Sequence, residues 1–178
     1  MFCDEVPPNS RWHDAVDAVD VFLAELSNSP ASELVSLSTY NGSASIDEQL
    51  TATYANIGGE LDVYTNNFCS GATNIGGGIN AGISSFSGSA SRPWASKVIV
   101  VMTDGIHNSG TNPIFAAQNA ANQGIIIYTV TFSDGAGQFL MQQVAETAFG
   151  EHFHATTGED LALVFQEIAR QIPTLLTQ

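Results

Sequence analysis

The chain has 178 residues, enough for one domain with a full core, and 44% of them are hydrophobic. Only four residues are basic (Arg11, Arg92, Lys97 and Arg170) against 18 acidic ones, a net charge of −14. Such a surface repels nucleic-acid backbones and anionic membranes and favours divalent cations and basic partners; the plain alternative is solubility. No run approaches the ~20 apolar residues of a membrane span, and the first five residues lack the basic and apolar regions of a signal peptide.

The elements alternate along the chain. Apolar residues at helical spacing predict a helix over 12–26. Residues 33–40 alternate like a strand, Asn41-Gly42 marks a hairpin, and a second strand follows over about 43–51, antiparallel to the first. A short helix or turn is expected over 53–63 and a loop over 64–73. Ile75, Ile79, Ile83 and Phe86 then keep helical spacing in a segment with four glycines, which suits a helix pressed closely against another backbone. A strand over 97–103, a helix over 113–123 ending at Gly124, a strand over 125–132, a helix over 137–148 and a short strand over 151–155 follow. A last helix spans 159–171, with Pro173 expected to end or kink it.

Two strands, 97–103 and 125–132, are apolar through most of their length, as strands buried on both faces are. Strands alternating with helices therefore predict a single Rossmann-like α/β domain over 1–178, with a mostly parallel sheet between two helical layers and one antiparallel edge. The strand Val98-Ile99-Val100-Val101-Met102 stops on Thr103-Asp104-Gly105. Ligands bind at that end of strands in open α/β sheets, and a carboxylate there needs a partner or a cation.

The strand with Thr103-Asp104-Gly105 resembles the fourth strand and metal loop of von Willebrand factor type A domains. Gly71-Ala72-Thr73-Asn74-Ile75-Gly76-Gly77-Gly78-Ile79 resembles that family's glycine-rich loop and third helix, and 11–23 its first helix. The resemblance implies a protein-interaction or adhesion module, not an enzyme. It also implies a metal-ion-dependent adhesion site for Mg²⁺ (or Mn²⁺ or Ca²⁺), to which a protein partner adds an acidic side chain. In that site Thr73 and Asp104 are the second and third contributions, with Asp134 a candidate further out. The Ser-Arg-Trp helix start and Gly-Ala-Thr-Asn-Ile-Gly are similar to bacterial surface and pilus-assembly (TadG-like) domains, which implies an extracytoplasmic or membrane-associated full-length protein.

The first contribution, Asp-x-Ser-x-Ser after the first strand, has no counterpart in the chain. In many members a Met follows that motif, and Met1 is read as that Met. The expectation is a domain lacking its first, central strand, with in-frame upstream DNA encoding it. By the family's strand order the lack falls between strands 33–40 and 97–103. The flanking edges then close up, stay apart, or are filled by a second copy in a homodimer completed through the sheet. Two donors hold Mg²⁺ poorly, so weak or absent metal binding is expected. Cys3 and Cys69 are one disulfide or two unrelated thiols; in the family both loops crowd the metal edge, which makes them a disulfide candidate. His152 and His154, two apart in a strand, share a face expected to be solvated. His107 is expected to be a loop residue near the site. Neither a nucleophile elbow nor a phosphate loop with its Lys is present. A nucleotide-binding α/β domain, or a structural domain with a decayed metal site, are the alternatives.

Overall fold

A computed structural model describes residues 10–67 and 71–175. Helix α1 (Arg11–Ser27) begins where the Ser10 side chain accepts from the His13 amide at 3.3 Å, satisfying one of the amides a helix start leaves over. β1 (Val35–Tyr40) and β2 (Ala44–Thr51) form the expected antiparallel hairpin. Its turn is held by Asn41, whose amide donates to Ser43 O at 2.8 Å and whose side chain accepts from Ser43 N at 3.0 Å. α2 (Ala55–Asn67) and α3 (Ile75–Ser85) follow, then β3 (Lys97–Thr103), α4 (Pro113–Asn122) and β4 (Ile125–Phe132). α5 (Gln138–Thr147), β5 (His152–Ala155) and α6 (Gly158–Leu175) complete the order.

β3, β4 and β5 are parallel, in that spatial order. Alternate residues of β4 serve two cores. Tyr128, Val130 and Phe132 pack with α1 and α6 through Phe22, Leu161 and Phe165. Ile125 and Ile127 pack with α3, α4 and α5 through Ile79, Ala117 and Val144. Helices thus cover both faces, giving the three-layer α/β/α arrangement. Phe22 and Phe165 meet edge-on, with ring centroids 6.0 Å apart, and help clamp α1 against α6.

β3 and β4 occupy the predicted ranges, and Gly124 after α4 takes the left-handed conformation (φ 69°) that glycine adopts without strain. Two expectations are corrected. Pro173 does not end the last helix, which continues to Leu175. α2 runs to Asn67 rather than stopping near 63: Ile57 and Leu61 anchor it in the α1–α6 core despite Gly58 and Gly59, and beyond them Tyr64 donates to Asp47 Oδ1 at 2.8 Å and Thr65 Oγ1 accepts from Trp12 Nε1 at 2.9 Å.

Among the described residues no strand lies between β1 and β3. The two strands belong to separate hydrogen-bonded sets, one of two strands and one of three. They run side by side in the same direction. Near their starts Arg92 Nη1 donates to Ser32 O at 3.1 Å, and near their ends the Tyr40 hydroxyl donates to Met102 O at 2.6 Å. The edges have not closed up. A cavity of about 520 Å³ separates them, walled by α1 and α6 on one face and by α3 on the other.

Candidate functional site

The C-terminal ends of β3 and β4 and the start of α3 meet at one edge of the sheet. Asp104, directly after β3, is 8% exposed, and Arg11 Nη1, at the first position of α1, lies 3.8 Å from its Oδ2. The same guanidinium nitrogen donates to Ser133 Oγ, after β4, at 3.3 Å. A carboxylate this buried needs a positive neighbour, and Arg11 supplies one. Thr103 Oγ1 accepts from Gly105 N at 3.3 Å and shapes the turn that follows.

Thr73 reaches this edge from the other loop. Its amide donates to Asn108 Oδ1 at 2.7 Å and its carbonyl accepts from Asn108 N at 3.1 Å, a reciprocal clamp between the two loops. Its hydroxyl lies 3.5 Å from the point where a Cβ on Gly105 would stand. The next residue, Asn74, is buried and joins three segments. Its Oδ1 accepts from Gly77 N at 2.9 Å, capping α3, and from Thr111 N at 3.1 Å in the β3–α4 loop. Its Nδ2 donates to Gly42 O in the hairpin turn at 3.4 Å. Thr73 and Asp104 are therefore brought together by hydrogen bonds between loops. Asp134 is exposed, one residue beyond Ser133. His107 is half-buried in the Asp104 loop. Met1, Cys3 and Cys69, and with them the candidate disulfide, lie outside the described residues.

Arg11, Asn74 and Asn108 were not among the residues singled out by sequence. Arg11 had a signal, being one of four basic residues and opening the first helix. Asn74 had one too, as an Asn directly before a helix. Asn108 had none, because its clamp joins residues 35 positions apart.

As a cation site the set is partial. One carboxylate and one hydroxyl leave most of an octahedral shell to be filled, and a guanidinium stands beside the carboxylate. Among the described residues no group of three His, Cys, Asp or Glu side chains could hold a metal. These residues do not by themselves fit a resident Mg²⁺. Nor do the α3 glycines form a phosphate cradle. A Cβ on Gly76 would stand 2.1 Å from Thr111 O, and one on Gly78 would stand 2.4 Å from the Tyr40 ring, so both serve close packing. The Gly77 amide is already taken by Asn74.

The histidine pair corrects the expectation of a solvated face. Both side chains turn toward fully buried threonines of β4, with His152 Nδ1 2.9 Å from Thr129 Oγ1 and His154 Nδ1 2.9 Å from Thr131 Oγ1. Burial holds the His152 pKa below its ordinary value; the contact with Thr129 raises it and His154 lowers it further. On the other side of the site, burial pushes the Tyr40 phenol well above its ordinary value, so it stays a donor to Met102 O.

The comparison with known families agrees with this geometry. The model of the von Willebrand factor type A domain matches residues 7–171. The chain belongs to that family. No curated protein sequence matches this type A domain. Among solved structures it is similar to an aerotolerance-related membrane protein from Bacteroides fragilis NCTC 9343, at TM-score 0.74 and 19% identity over 96% of this chain and 90% of that one. It is also similar to the vWF domain of a type V pili tip protein from Porphyromonas gingivalis, at TM-score 0.73 and 16% identity, covering 94% and 90%. A third is proximal thread matrix protein 1 from the mussel byssus with a zinc-occupied MIDAS motif, at TM-score 0.68 and 16% identity, covering 89% of this chain and 40% of that one. At these identities the likeness is one of fold.

Proposed function

We propose that this type A domain is a non-catalytic adhesion module that grips a protein partner at the C-terminal edge of its sheet. The observation that carries this is the convergence at that edge. Thr73, Asp104 and Arg11 are held together there, and beside them Ile106 and Phe139 leave 63% and 76% of their surface exposed. The loop that bears Ile106 and the start of α5, which bears Phe139, are tied by Gly137 N donating to Gly105 O at 3.2 Å. Exposed apolar side chains around a charged centre suit a protein interface. Arg11 supplies a positive group toward which a partner's acidic side chain is drawn.

On this reading Mg²⁺, Mn²⁺ or Ca²⁺ binds weakly or not at all to the described residues, with Thr73 and Asp104 as the partial metal-ion-dependent adhesion site and Asp134 outside it. The pilus-tip and membrane-protein neighbours support placing the full-length protein among bacterial surface or pilus-assembly (TadG-like) proteins, outside the cytoplasm. Among the described residues no helix is long and apolar enough to cross a membrane.

The test is a photo-crosslinking amino acid placed at Phe139 and, as a control, at the exposed Phe149 beyond the far end of α5. In cells of the source organism, Phe139 is expected to label a discrete protein and Phe149 not; equal labelling from both rejects the edge as the interface. Calorimetry with Mn²⁺ is expected to give no saturable micromolar binding for the chain as it stands. Tight binding there removes the partial-site reading.

A further inference from the structure

Charge is unevenly spread over the molecule. Of the 18 acidic residues only Asp134 and Glu146 fall between positions 105 and 150, and no lysine or arginine does. That stretch builds α4 and α5, which lie side by side over the same face of β4. Every exposed residue of these two helices is a phenylalanine, an asparagine or a glutamine, Glu146 apart. The opposite helical layer differs. Asp17 and Asp20 are exposed on α1, and Glu159, Glu167 and Arg170 on α6. Helix propensity does not explain the contrast. At exposed helix positions Glu and Lys are better formers than Asn or Phe, and they add ion pairs. Phe115, 67% exposed, stands in the first turn of α4. Gln118, Asn122 and Gln143 make no side-chain hydrogen bond among the described residues. Glu146, the one charge, accepts from Gln142 Nε2 at 2.9 Å.

We propose that the outer face of α4 and α5 is a self-association surface, on which a second copy of this chain docks about a two-fold axis. Charge singles out the occupant. Two bodies of net charge −14 repel through the carboxylates of α1, α2 and α6, and least through this face. Symmetry adds a second condition. Across a two-fold axis a patch meets itself, so it must be complementary to itself. An amide side chain both donates and accepts, and a face of amides therefore meets that condition where a face of carboxylates does not. Phe115 supplies an apolar contact, while Phe139 lies at the border with the binding edge. Size sets the strength. Ten-residue helices are about 15 Å long and pack about 10 Å apart, so the face measures roughly 15 by 20 Å. That falls short of the roughly 800 Å² per partner of a standard interface. The pairing is therefore weak and reversible, and it forms where copies are crowded.

The test is sedimentation velocity on the chain from about 20 µM to about 2 mM, where a reversible dimer with Kd of about 0.1–1 mM is expected. Raising salt from about 50 mM to about 500 mM is expected to tighten it severalfold, because screening removes the repulsion between copies while the face itself carries few charges. Asn119→Glu, at an exposed position of α4, is expected to weaken the dimer at least tenfold by setting carboxylates against each other. Ala24→Glu adds the same charge at an exposed position of α1 and is expected to change Kd less than twofold. Mixing Asn119→Glu with Asn119→Lys is expected to give a heterodimer tighter than the parent pair. Glu and Lys both suit an exposed helix, so these variants are expected to keep the parent Tm. A monomer throughout the range, or no heterodimer on mixing, would overturn the proposal. So would a dimer that Asn119→Glu and Ala24→Glu weaken equally, since the contact would then lie elsewhere.

Discussion

β4 has a neighbour on each side, whereas β3 has one on one side and the cavity on the other. Their sequences are of one kind, apolar and rich in branched residues. All but one of the eight β4 residues are buried, while of the seven in β3 only Val101 and Thr103 are. Ile99 and Ile127 are paired in register, yet Ile127 is fully buried and Ile99 only partly. An apolar strand pattern therefore reports the position a strand is built for, and its actual burial depends on whether the neighbour is in place. β3 reads as a central strand and is half an edge.

The largest test of that difference is a pair of truncations. Ile127→Ala should cost about 3–4 kcal/mol in denaturant unfolding, within the range for a buried Ile. Ile99→Ala should cost about half as much, since less of its surface is buried. Equal costs would erase the distinction between the strands. Tyr40→Phe should come next, at about 1 kcal/mol, for loss of the hydroxyl bond to Met102 O. An unchanged unfolding midpoint would mean that the contact across the cavity does not hold the flanks.

The smallest effect belongs to the closed side of the sheet. The depressed pKa of His152 means the folded chain binds fewer protons than the unfolded one between the folded value and the unfolded value near 6.5. Its contribution is complete above about pH 6.5 and is lost as pH falls through the folded value. His152→Gln should flatten the drop in Tm between pH 7.5 and pH 5 relative to the parent chain. A parallel pair of curves would show that this buried contact does not titrate with folding.

Much of the architecture was legible in the sequence because it rests on local signals. Continuous apolar runs mark β3 and β4, Asn41-Gly42 marks the hairpin, and Gly124 stops α4. The ordered motifs around Thr73 and Asp104 carried the family. What escaped depends on distant contacts. α2 is fixed as a helix by the core that Ile57 and Leu61 enter, against the propensity at Gly58 and Gly59, and its extra turn makes distant contacts through Tyr64 to Asp47 and Thr65 to Trp12. The histidines looked solvated because alternation alone does not reveal the threonines facing them from β4. Arg11 was visible only as a charge, since its nearness to Asp104 spans 93 positions (104 − 11) and arises when α1 packs on the sheet.

Asn74 bears on how this protein tolerates change. One side chain ties the hairpin turn at Gly42, the start of α3 at Gly77 and the loop at Thr111. Those three connections cannot lengthen independently without pulling Thr73 from Asp104. Insertions, affinity tags and fused domains therefore belong at the opposite rim, where Gly124 turns between α4 and β4 with nothing within 4 Å of a side chain placed there. The binding edge can diversify by exchanging side chains, while the far rim can diversify by growing.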